Sequence, residues 1–188
     1  SLLADGLPET PEGVVESGYV ASASVIPPTL SDSLMARLDR LGPAREIAQL
    51  GACIGREFSD TVLLAISDAT RPQVEEALQA LQAEQIVFRQ DARSGARYNF
   101  KHALIRDAAA GSLLNRERQG VHAKIARHLQ SGSAGEDGSP ELIAYHLGEG
   151  ARWREAASWW LRAGKKATVL QAHQEAIAQL RKGLECID

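Results

Sequence analysis

Hydrophobic and polar positions along the chain follow a helical rhythm first, then a strand rhythm, then a helical one again. After Pro27 and Pro28, Leu34, Leu38 and Leu41 recur at i, i+4 and i+7. That spacing predicts a helix, with Thr29 and Ser31 in place to cap it. Gly42 and Pro43 close that element and open the next, which carries Ile47, Leu50 and Ile54. "GREFSD", residues 55–60, reads as a turn, with Ser59 or Asp60 capping the apolar run "TVLLAIS". The cleanest amphipathic stripe is in "RPQVEEALQALQAEQ", where Val74, Ala77, Leu78 and Leu81 fall on one face. Its apolar side is expected to bury against Leu34, Leu38, Ile47 and Leu50. The period then changes. "IVFRQ" and "RYNFK" are β-type runs on either side of "DARSGA", which predicts a hairpin. Helical spacing returns near 103–114 and over 115–130, where Val121, Ile125 and Leu129 make the stripe.

The order of these elements sets an expectation for the fold. Several short helices followed by a two-stranded hairpin is the order of a winged-helix domain, with the hairpin as the wing and 71–84 in the place of the recognition helix. Its bounds are expected at about 26–130. Residues 1–25 are rich in Gly, Pro, Ser and Glu without a sustained period, and read as a linker or the end of a preceding domain. A second polar stretch, "SGSAGEDGS" at 131–139, reads as a flexible linker. From 140 to 188 helical patterns succeed one another, with Trp153, Trp159 and Trp160 among them. "REAASWWLRAGKKA" and "QEAIAQLRKGLECI" are similar to each other, with Glu155–Ala156 and Glu175–Ala176 in matching places. They resemble degenerate tetratricopeptide helices, although the spacing is 20 residues where that repeat has about 34. Trp159 or Trp160, with Leu161 and Ala156, is expected to pack between helices and another indole to stay partly exposed. The fold class is therefore mainly α: a winged-helix domain followed by tetratricopeptide-like helical hairpins.

Composition narrows the function. A net charge of −3 with 24% charged residues gives no reason to expect a nucleic-acid or membrane surface. No apolar run is long enough for a membrane helix, and Cys53 and Cys186 lack metal or redox spacing. Buried free thiols and a cytoplasmic setting are the reading. No phosphate loop, dinucleotide fingerprint or zinc-protease motif is present, so no catalytic or metal-binding residue is assigned and the chain is not expected to be an enzyme. His122 and His128 are six apart, off the i, i+4 spacing of helical zinc ligands, and His146 and His173 lie elsewhere; all four read as surface or partly buried histidines. A winged helix raises DNA binding, but residues 71–84 hold one basic and three acidic side chains, a face that repels phosphate. Residues 86–130 hold nine basic and three acidic residues, a surplus suited to a phosphate, an acidic neighbour or water.

Four segments in order carry a more specific resemblance: "IPPTLSDSLMARLDRLGPAREIAQLGACIGREF", "YNFKHALIRDAAAGSLL", "VHAKIARHL" and "WWLRAGKKA…EAIAQLRKGLECI". From about residue 26 to the end the chain resembles the region that follows the ATPase core in STAND-type regulatory ATPases, above all bacterial members fused to adenylate or guanylate cyclase domains. The resemblance implies a larger parent in which a nucleotide-binding ATPase module precedes this region. It implies a non-catalytic module that couples nucleotide state to sensing, with the ATPase module of the same chain and proteins bound by the helical segment as partners. No specific nucleic acid and no membrane are implied. In STAND proteins a His-containing motif of the winged helix touches the β-phosphate of ADP. "FKHALIRD" is similar, with Ala103 where those relatives have Asp. The implied phosphate contacts are His102, Lys101 and Arg106, to ATP or ADP of the parent, with no cofactor of the chain's own. The competing readings are a DNA-binding winged-helix regulator and a plain helical scaffold.

Overall fold

The computed structural model describes residues 36–92, 95–132 and 138–187, with Ser33. The expected linker at 1–25, Leu34 and most of 131–139 fall outside the described residues. Among the described residues the chain is mainly helical, with one small antiparallel sheet. Residues 36–39 are helical. Then follow α1 (Ala44–Ile54), β1 (Glu57–Ser59), α2 (Asp60–Ile66), α3 (Arg71–Ala83), β2 (Val87–Ala92), β3 (Gly95–Phe100), α4 (Ala103–Gly111) and α5 (Asn115–Gln130). Three more helices close the described chain: α6 (Pro140–Glu149), α7 (Trp153–Val169) and α8 (His173–Glu185).

Local chemistry accounts for several of these bounds. Ser59 stands in extended conformation before α2, and its Oγ accepts from the Val62 N–H at 3.2 Å. Thr70 is the extended N-cap of α3, and there Gln73 Oε1 reaches back to accept from both the Thr70 N–H and its hydroxyl, each at 2.8 Å. Ser139 caps α6, with Pro140 at its first position. "GREFSD" is not a plain turn. Glu57–Ser59 is a strand, and it pairs antiparallel with β3 in the register Phe58↔Tyr98. The hairpin runs closer to its tip than the β-type runs alone mark, since Ala92 pairs with Gly95. The resulting sheet has the order β1-β3-β2. The Phe58 ring joins it to the helices, 5.9 Å from Tyr98, 5.4 Å from Phe100, and against the backbone of Gly51.

The predicted core face is present. Val74, Leu78 and Leu81 are buried, as are Leu38, Ile47 and Leu50. α1 is the central strut, packed on α3, α4 and α5. α5 packs on α1 and α2 and also on α6, and the series continues through α7 to α8.

The 20-residue similarity is a repeat of single helices, not of hairpins. Glu155–Ala156 and Glu175–Ala176 take the third and fourth positions of α7 and α8, and both alanines are buried. The turns before these two helices match bond for bond. Ala151 and Gln171 have φ of 56° and 59°. Arg152 N–H donates to the Leu147 carbonyl and Ala172 N–H to the Ala167 carbonyl, at 2.8 and 2.9 Å. This is the Schellman closure of a helix by a left-handed residue. One helix plus one such turn accounts for the spacing. α7 and α8 approach closely at Gly164, where an added Cβ would lie 2.7 Å from Leu180 Cγ. Of the tryptophans, Trp160 is buried and Trp153 is 53% exposed, while Leu161 is exposed, not packed as expected. Cys53 is buried and Cys186 only half-buried.

Candidate functional site

The end of β3 leads directly into α4, and the corner between them holds the residues singled out in the sequence. Lys101 is fixed at both ends: its N–H donates to the Ile86 carbonyl at 2.9 Å and its Nζ to Gln85 Oε1 at 2.8 Å. His102 is the N-cap, in extended conformation with φ −134° and ψ 130°. Its carbonyl accepts from the Ile105 and Arg106 N–H groups, which starts the helix. The imidazole makes no capping bond and is exposed. The first N–H groups of any helix lack intrahelical partners, and here they open beside that ring.

A surface depression of about 370 Å³ lies at this corner, lined by Arg37, Lys101, His102, Ala103, Leu104 and Ile105. None of these is acidic, and a helix N-terminus with two cations is a setting for an anion. Arg37 escaped notice in the sequence. Its guanidinium donates to the Glu84 carbonyl, a contact across 47 positions that no local pattern announces. Arg106 is not part of the lining. It turns to its neighbour, with Nε and NH2 donating to Asp107 Oδ1 at 2.9 and 2.6 Å. Lys101 and His102 therefore come together at the depression, and Arg106 stands beside them as an ion pair.

A second polar cluster corrects an expectation. His122 on α5 and His146 on α6 are not surface residues; they are 4% and 1% exposed, and their Nδ1 atoms lie 2.9 Å apart. Such a bond needs one ring protonated at Nδ1 and the other at Nε2. The Tyr145 ring stands edge-on to both imidazoles. Burial, and then the Arg118 guanidinium, pushes the His122 pKa down to about 4. Burial, and then His122 itself, pushes His146 down to about 3. Both rings are thus neutral at ordinary pH. Cys53 lies near the same charges. Burial raises its thiol to about 11, with Arg118 lowering and Glu149 raising it. A protonated thiol of this kind is a poor nucleophile. Among the described residues no group of three or more His, Cys, Asp or Glu side chains could hold a metal ion. Among them, too, no helix is long and apolar enough to cross a membrane.

Comparison with known proteins adds little beyond this geometry. No family model matches the chain, and no solved structure matches it. The chain is similar to an uncharacterized protein of Rhizobium meliloti (strain 1021), with 27% identity over 155 residues. That match takes in 81% of this chain but only 15% of the length of the relative.

Proposed function

We propose that this chain is a non-catalytic regulatory and protein-interaction segment of a larger, cytoplasmic STAND-type signalling ATPase. Residues 36–130 would form its winged helix, and α6–α8 the start of a tetratricopeptide-like array that meets protein partners. The element order and the β1-β3-β2 sheet are those a winged helix would have, with α3 in the recognition-helix position. The much greater length of the similar Rhizobium meliloti protein accords with a segment of this kind.

The observation that carries the reading is the exposed imidazole of His102 on the rim of a depression without acidic lining. An ADP held by the ATPase module would present its β-phosphate there. His102 would donate a hydrogen bond, and Lys101 would add charge after exchanging Gln85 for phosphate. Arg106 would contribute only by releasing Asp107. Loss of this contact on nucleotide exchange would free the winged helix, and α5 would pass the movement to the helical array.

The test is ADP release from the longer chain that joins this segment to its ATPase module. His102→Ala removes one charge-assisted hydrogen bond, so release should quicken by about ten- to a hundredfold. An unchanged rate leaves His102 as a corner residue and removes the switch. The isolated segment should bind ADP weakly or not at all.

A further inference from the structure

Between α6, α7 and α8 lies a surface pocket of about 320 Å³, remote in sequence from the His102 corner. Its walls combine two kinds of side chain. Tyr145, Trp153 and Trp160 supply aromatic surface, and Glu149 and Glu185 supply carboxylates. Tyr145 and Trp153 are 46% and 53% exposed, so both rings offer aromatic surface to a ligand. The Trp153 ring lies over Gly148, where an added Cβ would stand in ordinary contact, 3.6 Å from Cζ3. The pocket already contains a cation. Lys182 Nζ sits over the Trp160 ring, 4.8 Å from its centroid. An aromatic face attracts positive charge through its quadrupole, and a nearby carboxylate adds to the attraction.

We infer that this pocket binds a weakly hydrated organic cation, a quaternary ammonium or a guanidinium head, with Trp153 and Tyr145 around it and Glu149 and Glu185 neutralising it. Its volume is at the small end for ligand sites, which suits one such head and not a large molecule. An ammonium with bound water loses more on entering an aromatic pocket than a methylated or delocalised cation does. Lys182 is then the chain's own competitor: it holds one ring face until the ligand displaces it. The inference rests on these three helices and stands whether or not the chain belongs to a nucleotide switch.

The three tryptophans give three indole N–H signals in a proton–nitrogen correlation spectrum, and this supplies the assay. Tetramethylammonium chloride and N-acetyl-arginine amide are titrated separately, with tert-butanol as the neutral counterpart and sodium chloride as the ionic-strength control. The Trp153 and Trp160 signals should move and saturate with one or both cations. The Trp159 signal should stay, because that ring is already covered by Arg162, 4.4 Å from its centroid. The cation that saturates at lower concentration tells a quaternary ammonium ligand from an arginine side chain. Lys182→Met should tighten binding roughly two- to fivefold, the effect of removing one exposed cation–π competitor. Glu149→Gln with Glu185→Gln should weaken it by about threefold or more. All are surface changes, and preserved indole dispersion verifies the fold. Equal movement with tert-butanol would make the pocket merely apolar. No movement with either cation, or a Lys182→Met variant that binds more weakly, would overturn the inference.

Discussion

Acid should unfasten the contact between α5 and α6, and the size of the effect follows from the two buried imidazoles. In the unfolded chain both rings titrate near 6.5. In the folded chain His122 stays neutral down to about pH 4 and His146 to about 3. Between those limits the unfolded chain binds two protons that the folded chain refuses. Stability is therefore complete above pH 6.5 and falls as the pH drops, by up to about 1.4 kcal/mol per pH unit for each ring. From pH 7.5 to 5 the pair should cost on the order of 4 kcal/mol, against a total of about 5–15 kcal/mol for a typical domain. That window lies above most carboxylate titrations, so acidic side chains contribute little to it. Urea unfolding followed by far-ultraviolet circular dichroism at half-unit pH steps measures the loss. The double variant His122→Leu, His146→Leu keeps the volume nearly constant and removes both titrations, so its stability should be almost level over the window. His102, His128 and His173 remain in both proteins as the internal control. A wild-type chain that loses less than about 1 kcal/mol by pH 5, or a double variant that loses as much as wild type, would refute the linkage.

Two further outcomes follow from the fold. Leu78→Ala should cost about 2–5 kcal/mol in the same urea assay, because the side chain is 1% exposed between α3 and the rest of the core; a change within error would mean that the stripe does not pack. The acidic face of α3, where Arg71 is already drawn toward Glu75 at 3.9 Å, should prevent specific duplex DNA binding at physiological salt. A submicromolar mobility shift weakened by charge changes on α3 would favour a DNA-binding regulator over the nucleotide switch.

Helices with a one-sided apolar stripe were legible in the sequence, α3 most clearly, because a stripe at i, i+3, i+4 and i+7 has to be buried somewhere. The hairpin was legible for the same kind of reason, from period two and a Gly-containing turn. β1 was not. Three residues are too few to show a period, and its partner Tyr98 lies 40 positions away from Phe58. The histidine pair did leave a signal that the spacing of metal ligands concealed. His122 shares a face with Ile125, Ala126 and Leu129, and His146 stands with Ile143 and Leu147, all buried. A histidine in line with an apolar stripe is a buried histidine, and a buried one needs a polar partner. Two such residues on helices joined by a short polar connection are candidates for each other. Arg106 carried less information: its nearness to His102 in sequence suggests a shared target, while in the structure its guanidinium is paired with the adjacent Asp107.

The pair also bears on how the two halves of the chain could communicate. Apolar helix contacts are non-directional, whereas the 2.9 Å bond between His122 and His146 needs its two ring nitrogens to stay within hydrogen-bond reach. Moving α6 against α5 without a replacement partner would leave a buried donor and a buried acceptor unpaired, at about 1–3 kcal/mol. α1 packs on α4, which begins at the His102 corner, and on α5, which holds His122. If the proposed phosphate contact at His102 holds, a displacement of α4 would reach the His122–His146 bond through α1 and α5, which are in direct contact.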